Sequence, residues 1–255
     1  MIDVLSLGKC DLHMHTVYCD GKSTAEEMVL SAIEKGLDTV GISTHSFTSE
    51  DNLYCIKSQD VVRFQQEVNA LKQKYADKIR VLCGVEQEYM SDFSLDGFDY
   101  SIGSVHYFLV GDKFYHVDHS EEYFLNSVKT AFGGDFYAAA ENYYATVSNV
   151  IDKTGADIIG HFDLVNKFNE NNKLFDVKHP RYVAAYTKAL EKLLKTGKVF
   201  EINTGAISRG YRLEPYPHTD IYNIIKEKGG KFVLSSDAHT AKNVAYQFDI
   251  WQKLL

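Results

Sequence analysis

Apolar and polar positions follow two rhythms along the chain. Short runs rich in β-branched and aromatic residues recur, and between them lie longer stretches whose apolar residues return every three or four positions. Seven runs read as strands, over residues 10–16, 39–44, 79–85, 99–105, 157–161, 199–204 and 232–236. The helical rhythm is carried by STAEEMVLSAIEKG, VVRFQQEVNALKQKY, FYAAAENYYATVSNVIDKTG, RYVAAYTKALEKLLKTG and TDIYNIIKEKGG. Ser23 with Glu26 has the spacing of a capping box, and Gly36 is placed to end that first helix. Strands alternating with helices predict βαβ units around a parallel sheet. Seven such units suit a barrel with one strand fewer than the usual eight, although an open doubly wound sheet satisfies the same count. FLVGDKFYHV interrupts the rhythm with a Gly-Asp turn between two β-prone runs, as expected of a small hairpin on the rim.

At 255 residues with only 3 prolines, no repeat unit and no low-complexity linker, the chain reads as one domain over 1–255. The formal net charge of -8 argues against a broad basic surface for nucleic acid. A small anionic substrate stays compatible with it, because bound cations reverse the sign of a carboxylate-rich pocket. MIDVLSLGKC lacks the features of a signal peptide and no later apolar run reaches spanning length, so a cytoplasmic protein without a membrane partner is expected. The 4 cysteines show no CxxC spacing; Cys10 and Cys83 read as small core residues of strands.

Candidate chemistry gathers at the carboxyl ends of the predicted strands, where the loops of a βα fold share one mouth. His13 and His15 end the first strand two residues apart, which turns both rings to one face, and Asp20 follows. The second strand ends in His45, the third in Glu86, the fourth in His106, the fifth in His161, and the seventh in Asp237 and His239. Singly, each has an ordinary explanation. His45 or His106 reads as a hydrogen-bonded structural histidine, Asp20 as a turn residue beside Gly21, and Glu86 as a surface acid. Together, six histidines and three acids exceed the needs of one ion and suit two or three. Mixed imidazole and carboxylate donors favour zinc, manganese or iron over calcium. His116, His119, His179 and His218 fall in loops or at helix starts, outside this set, and Tyr143, Tyr144, Phe136 and Tyr137 read as helix packing residues.

The ordered set DLHMHT, YCDG, STH, GVE, SVH, GHFD and SSDAH resembles the motifs of the polymerase and histidinol phosphatase (PHP) superfamily, from Asp11 to His239. EINTGAISRGYRLEPYP and the chain length are similar to its stand-alone histidinol-phosphate phosphatases. The resemblance implies an α/β fold, a distorted, TIM-like (β/α)7 barrel, and a trinuclear metal site. By that resemblance His13, His15, Glu86 and Asp237 hold one ion; Glu86 bridges to a second held with His106 and His161; Asp20, His45 and His239 hold a third. Some relatives carry a histidine where this chain has Asp20. The implied activity is metal-dependent hydrolysis of L-histidinol phosphate in histidine biosynthesis, with Glu86 and Asp237 at the catalytic centre.

A hydroxide bridging two cations would be a nucleophile at neutral pH. The leaving-group proton would come either from a bound water or from a rim acid such as Asp163. Of the arginines at 63, 80, 181, 209 and 212, the last two follow the sixth strand and face the mouth. Arg209 is expected to hold the substrate phosphate, with Lys167 and Arg212 as further candidates, whereas its bland alternative is a rim pair with Glu214. Rival readings are another phosphoesterase of the superfamily and an amidohydrolase. The position of Glu86 on the third strand and the count of seven units speak against the latter.

Overall fold

The computed structural model describes residues 2–48 and 53–255. In chain order the elements are β1 (Cys10–Asp11), α1 (Ala25–Glu34), β2 (Thr39–His45), α2 (Val61–Lys74), β3 (Arg80–Glu88), β4 (Tyr100–Ser104), β5 (Tyr107–Val110), β6 (Lys113–His116), α3 (Glu121–Phe132), α4 (Phe136–Val147), α5 (Val150–Thr154), β7 (Ile158–Ile159), α6 (Pro180–Leu193), β8 (Val199–Asn203), α7 (Gly205–Ser208), α8 (Thr219–Glu227), β9 (Lys231–Ser235) and α9 (Phe248–Trp251). Seven strands form one sheet in the order β1-β2-β3-β4-β7-β8-β9, with every neighbouring pair parallel. A parallel bridge between Met14 and Ala238 joins the two ends of the sheet. The result is a nearly closed, distorted (β/α)7 barrel. An open doubly wound sheet is thereby excluded.

The barrel interior is filled by Cys10, Leu12, Leu82, Tyr100, Ile102, Ile158, Val199 and Val233, which form one apolar cluster. β2 adds space rather than bulk there. A Cβ on Gly41 or Gly84 would lie 2.2 Å from the Tyr100 ring or hydroxyl, so both positions stay glycine to admit that ring, whose hydroxyl donates to the Leu12 carbonyl. Outside, α1 and α2 pack on β2 and β3 through residues including Met28, Val29, Phe64 and Val68, and the larger cluster under α4 and α6 holds Tyr143, Tyr144 and Tyr182. The expected packing role of Tyr143 and Tyr144 is therefore met.

Several boundaries differ from expectation for physical reasons. The first strand was expected over 10–16, yet its ladder stops at Asp11. Leu12 packs inside the barrel while Met14, two residues on, packs outside, so regular alternation breaks between them. The Asp11 carboxylate then takes the place of a ladder, accepting from the Ser236 and Ala245 backbone N–H groups at 3.0 and 2.8 Å. The fifth strand shortens to Ile158–Ile159. The capping box of α1 uses Thr24 and Glu27, one residue beyond Ser23 and Glu26. The long stretch from Phe136 divides into α4 and α5 at Ser148 and Asn149. The hairpin is present as β5 and β6, paired antiparallel. Among the described residues no helix is long and apolar enough to cross a membrane, and Cys10 and Cys83 are buried in strands, as expected of small core residues.

Candidate metal centre

At the carboxyl ends of the barrel strands, all nine residues singled out for metal binding converge. Their donor atoms fall into four overlapping groups, each within 4.8 Å: His15, Asp20, His45 and His239; His13, Glu86 and His161; His13, His15 and Asp237; His45, Glu86 and His106. Glu86 lies at the centre. Its carboxylate is 2.8 Å from His45 Nδ1 and His161 Nε2, 3.3 Å from His13 Nε2, 3.4 Å from His106 Nε2 and 3.5 Å from His15 Nε2. Asp237 brings Oδ1 to 3.4 Å from His15 Nε2 and gives Oδ2 to Arg209 Nη2 at 2.9 Å. Its φ of +48° lies in the left-handed region, which Asp tolerates better than most residues. A Cβ on Gly205 would sit 2.8 Å from Asp237 Cβ, so the loop carrying Arg209 can approach only because that residue is glycine. Asp20 and His239 form the outer edge, with Asp20 Oδ2 3.1 Å from His239 Nε2.

Whether cations fit here is decided by the atoms without partners. His13 Nε2, His15 Nε2 and Glu86 Oε2 are buried and face one another at 3.3 to 3.5 Å without a well-directed hydrogen bond. Buried polar atoms left in this state carry a desolvation penalty of roughly 1–3 kcal/mol each, which a coordinated cation removes. The donors are also oriented from behind. Glu201 Oε1 lies 2.7 Å from His13 Nδ1, and its Oε2 accepts from the His161 backbone N–H at 2.9 Å. Glu88 Oε2 lies 2.7 Å from His106 Nδ1 and accepts that residue's N–H at 3.1 Å. A carboxylate on Nδ1 fixes the tautomer that presents Nε2 to a metal. The residues present therefore fit a cluster of divalent ions.

The electrostatics agree. Burial opposes charge on His13, but the carboxylates of Glu201, Glu86 and Asp237 outweigh it and raise its pKa well above the ordinary 6.5. His106 is raised likewise, against burial, by Glu86 and Glu88. Burial would raise Glu86, yet His13, His45 and His106 hold it well below the usual carboxylate range. His15 goes the other way: burial, together with His45 and His239, lowers it to about 3, so its lone pairs are free. Positive charge is demanded by the carboxylates, whether as protons or as cations.

A cavity of about 250 Å³ opens above the cluster, its wall including Arg209, Lys167, Tyr211, Tyr54, Tyr107, His116, Asp118 and His119; Lys167 Nζ lies 3.0 Å from Asp118 Oδ2. Arg209 Nη1 donates to the Asp237 carbonyl at 3.1 Å. The alternative reading of Arg209, a rim pair with Glu214, is not met: that pair is made by Arg212, which is buried and also binds the Asn166 carbonyl and Glu170. Arg212 and Asp163 are not among the residues lining the cavity. Asp163 is fully buried; burial raises its pKa despite Arg212, and its Oδ2 accepts from the His218 N–H at 3.0 Å. His116 and His119 line the cavity without joining a donor group, while His179 and His218 cap α6 and α8. Sequence reasoning missed two carboxylates that orient donors, Glu201 and Glu88, and one in the cavity wall, Asp118. Glu88 alone left a trace, two residues beyond Glu86 on the same strand and hence on the same face.

A parallel barrel whose strand ends focus six imidazoles and three carboxylates under a basic cavity wall defines a metal-dependent hydrolase. The family model of the PHP domain matches residues 11–205, and the chain belongs to that family. It is a metal-dependent phosphoesterase. Among its relatives, histidinol-phosphatase of Bacillus subtilis is 26% identical over 265 residues, covering 94% of this chain and 97% of the relative. The solved structure of HisK from Listeria monocytogenes matches with a TM-score of 0.83 at 22% identity, over 95% of this chain and 100% of that one. Histidinol phosphate phosphatase of Lactococcus lactis, solved with zinc, L-histidinol and phosphate, matches with a TM-score of 0.67 at 22% identity, over 98% and 94%.

Proposed function

We propose that this chain is a phosphomonoesterase that hydrolyses L-histidinol phosphate to L-histidinol and phosphate, a step of histidine biosynthesis, using two to three zinc, manganese or iron ions. The observation that carries this reading is the convergence of nine donor residues beneath a cavity that also presents Arg209 and Lys167. The substrate is supported by the near full-length match to the Bacillus subtilis histidinol-phosphatase and by the ligands bound in the Lactococcus lactis structure.

His13, His15, Glu86 and Asp237 would hold one ion, His106 and His161 a second shared through Glu86, and Asp20, His45 and His239 a third. When bound, divalent ions neutralise phosphoryl oxygens and lower the pKa of water to about 7. The chain's own residues do the rest. Arg209, anchored to Asp237, presents a guanidinium fork to two phosphate oxygens at once. Lys167 adds a point charge on the same wall. Glu201 and Glu88 keep His13 and His106 in the metal-presenting tautomer, so the site is ordered before substrate arrives. The cavity volume of about 250 Å³ accommodates a small monoester.

The test is a panel of L-histidinol phosphate, other phosphate monoesters, nucleotides and bis-aryl phosphodiesters, assayed on protein reconstituted with each metal. The highest kcat/KM is expected for L-histidinol phosphate, and chelation should abolish it. Faster turnover of the phosphodiesters, or hydrolysis that survives chelation, would overturn the proposal.

A further inference from the structure

The cavity holds one carboxylate that the metal cluster does not use. Among the described residues four acids line it: Asp20, Glu86 and Asp237 belong to donor groups, and Asp118 belongs to none. Asp118 follows β6 in the loop that the hairpin delivers to the rim, and that loop is pinned to the site because Val117 N–H donates to the His106 carbonyl at 3.0 Å. One carboxylate oxygen of Asp118, Oδ2, accepts from Lys167 Nζ at 3.0 Å, and its backbone carbonyl accepts from the same ammonium at 2.8 Å. The other oxygen, Oδ1, makes no hydrogen bond among the described residues. The Asp118 side chain is 26% exposed, so this acceptor opens on the cavity. The same cavity is lined by Tyr54, Tyr107, His116, His119 and Tyr211, aromatic groups suited to a flat or cationic ligand.

The cavity thus carries both signs of charge outside the donor cluster. Arg209 and the cluster suit a phosphate, and Asp118, beside Lys167, leaves one carboxylate oxygen for a cationic group on the same small substrate. We infer that Asp118 is a specificity-determining residue that binds a protonated amine on the leaving alcohol, so that the site selects phosphate monoesters of amino alcohols over neutral ones. This inference rests on the proposed monoesterase activity, and it sharpens it, since L-histidinol carries a primary ammonium beside its carbinol carbon. Lys167 does not cancel the acceptor. It occupies one oxygen and the main chain, and thereby fixes the direction in which the second oxygen points. Facing a neutral leaving group, that second oxygen would instead have to be desolvated without a partner of its own, which is the origin of the discrimination.

The experiment measures kcat/KM ratios within two substrate pairs on the metal-loaded enzyme: L-histidinol phosphate against its deamino analogue, and ethanolamine phosphate against propyl phosphate. Wild type should prefer the amine-bearing member of each pair by about 10- to 100-fold, the range of a charge-assisted hydrogen bond. In Asp118→Asn the ratio should collapse toward one, and Asp118→Ser serves as a second variant if the first folds poorly. Arg209→Met, which removes a phosphate contact and leaves the Lys167–Asp118 pair in place, should lower both members of a pair while keeping the wild-type ratio. A wild-type ratio near one, an unchanged ratio in both Asp118 variants, or loss of the preference in Arg209→Met would overturn the assignment. The ethanolamine and propyl pair keeps this outcome separate from the identity of the substrate. An enzyme that ignores L-histidinol phosphate would refute the proposed substrate, while this pair still reports on Asp118.

Discussion

Replacing Glu201 by Gln should weaken metal binding without touching a donor. Glu201 is fully buried and spends its carboxylate on three contacts: His13 Nδ1 at 2.7 Å, the His161 N–H at 2.9 Å and Asn203 Nδ2 at 3.2 Å. The last two share Oε2, so a Gln keeps them by placing its carbonyl oxygen there and its amide nitrogen against His13. An amide donor makes Nδ1 of the neutral ring an acceptor and moves the proton to Nε2. That nitrogen is the one facing Glu86 at 3.3 Å and Asp237 at 3.9 Å, and with a proton it has no lone pair to offer a cation. Loss of such an orienting partner costs roughly 10- to 100-fold in metal affinity, or about 1.4 to 2.8 kcal/mol. Chelator competition on the purified variant measures this directly, and nitrogen-15 NMR of His13 reads the tautomer. Wild-type affinity together with an unchanged His13 tautomer would refute the orienting role.

Two further outcomes follow from the same geometry. Arg209→Met should reduce kcat/KM for a phosphate monoester by about 2 to 4 kcal/mol in transition-state terms while bound metal is retained, since the residue serves the phosphate and not an ion; steady-state kinetics beside elemental analysis checks both halves, and full activity would leave the phosphate to the metals alone. The gain in Tm on adding metal should widen as pH rises from about 5 to 8. In the metal-free protein the raised pKa values of His13 and His106 contribute stability fully present below the ordinary 6.5 and lost as pH rises through their folded values, whereas the depressed Glu86 and Asp237 contribute stability lost only as pH falls through theirs. Cations compete with protons for the same lone pairs. Thermal scans with and without zinc would contradict this by showing a constant or shrinking increment.

The sequence made the donor set legible because strand ends are marked by their own apolar runs, and because a period of two places His13 and His15 on one face. The same logic could not find Glu201. It sits inside an apolar strand, VFEIN, and its partner is 188 positions away, a pairing that only barrel closure creates. Asp118 was hidden for a similar reason: a hairpin reads as rim decoration until its loop is seen to reach over the mouth. The protein partners of Arg209 were likewise out of reach, since Glu214 is near in sequence but Asp237 and His239 are near in space. Strand lengths failed where side chains replaced the ladder, as Asp11 does for β1.

The central claim is that nine converging side chains form a multinuclear metal centre, and counting the metal tests it most directly. Elemental analysis of protein reconstituted with zinc, manganese or iron should give between two and three ions per chain, with phosphatase activity rising in proportion to occupancy. A stoichiometry that stays at or below one ion after every reconstitution would contradict it.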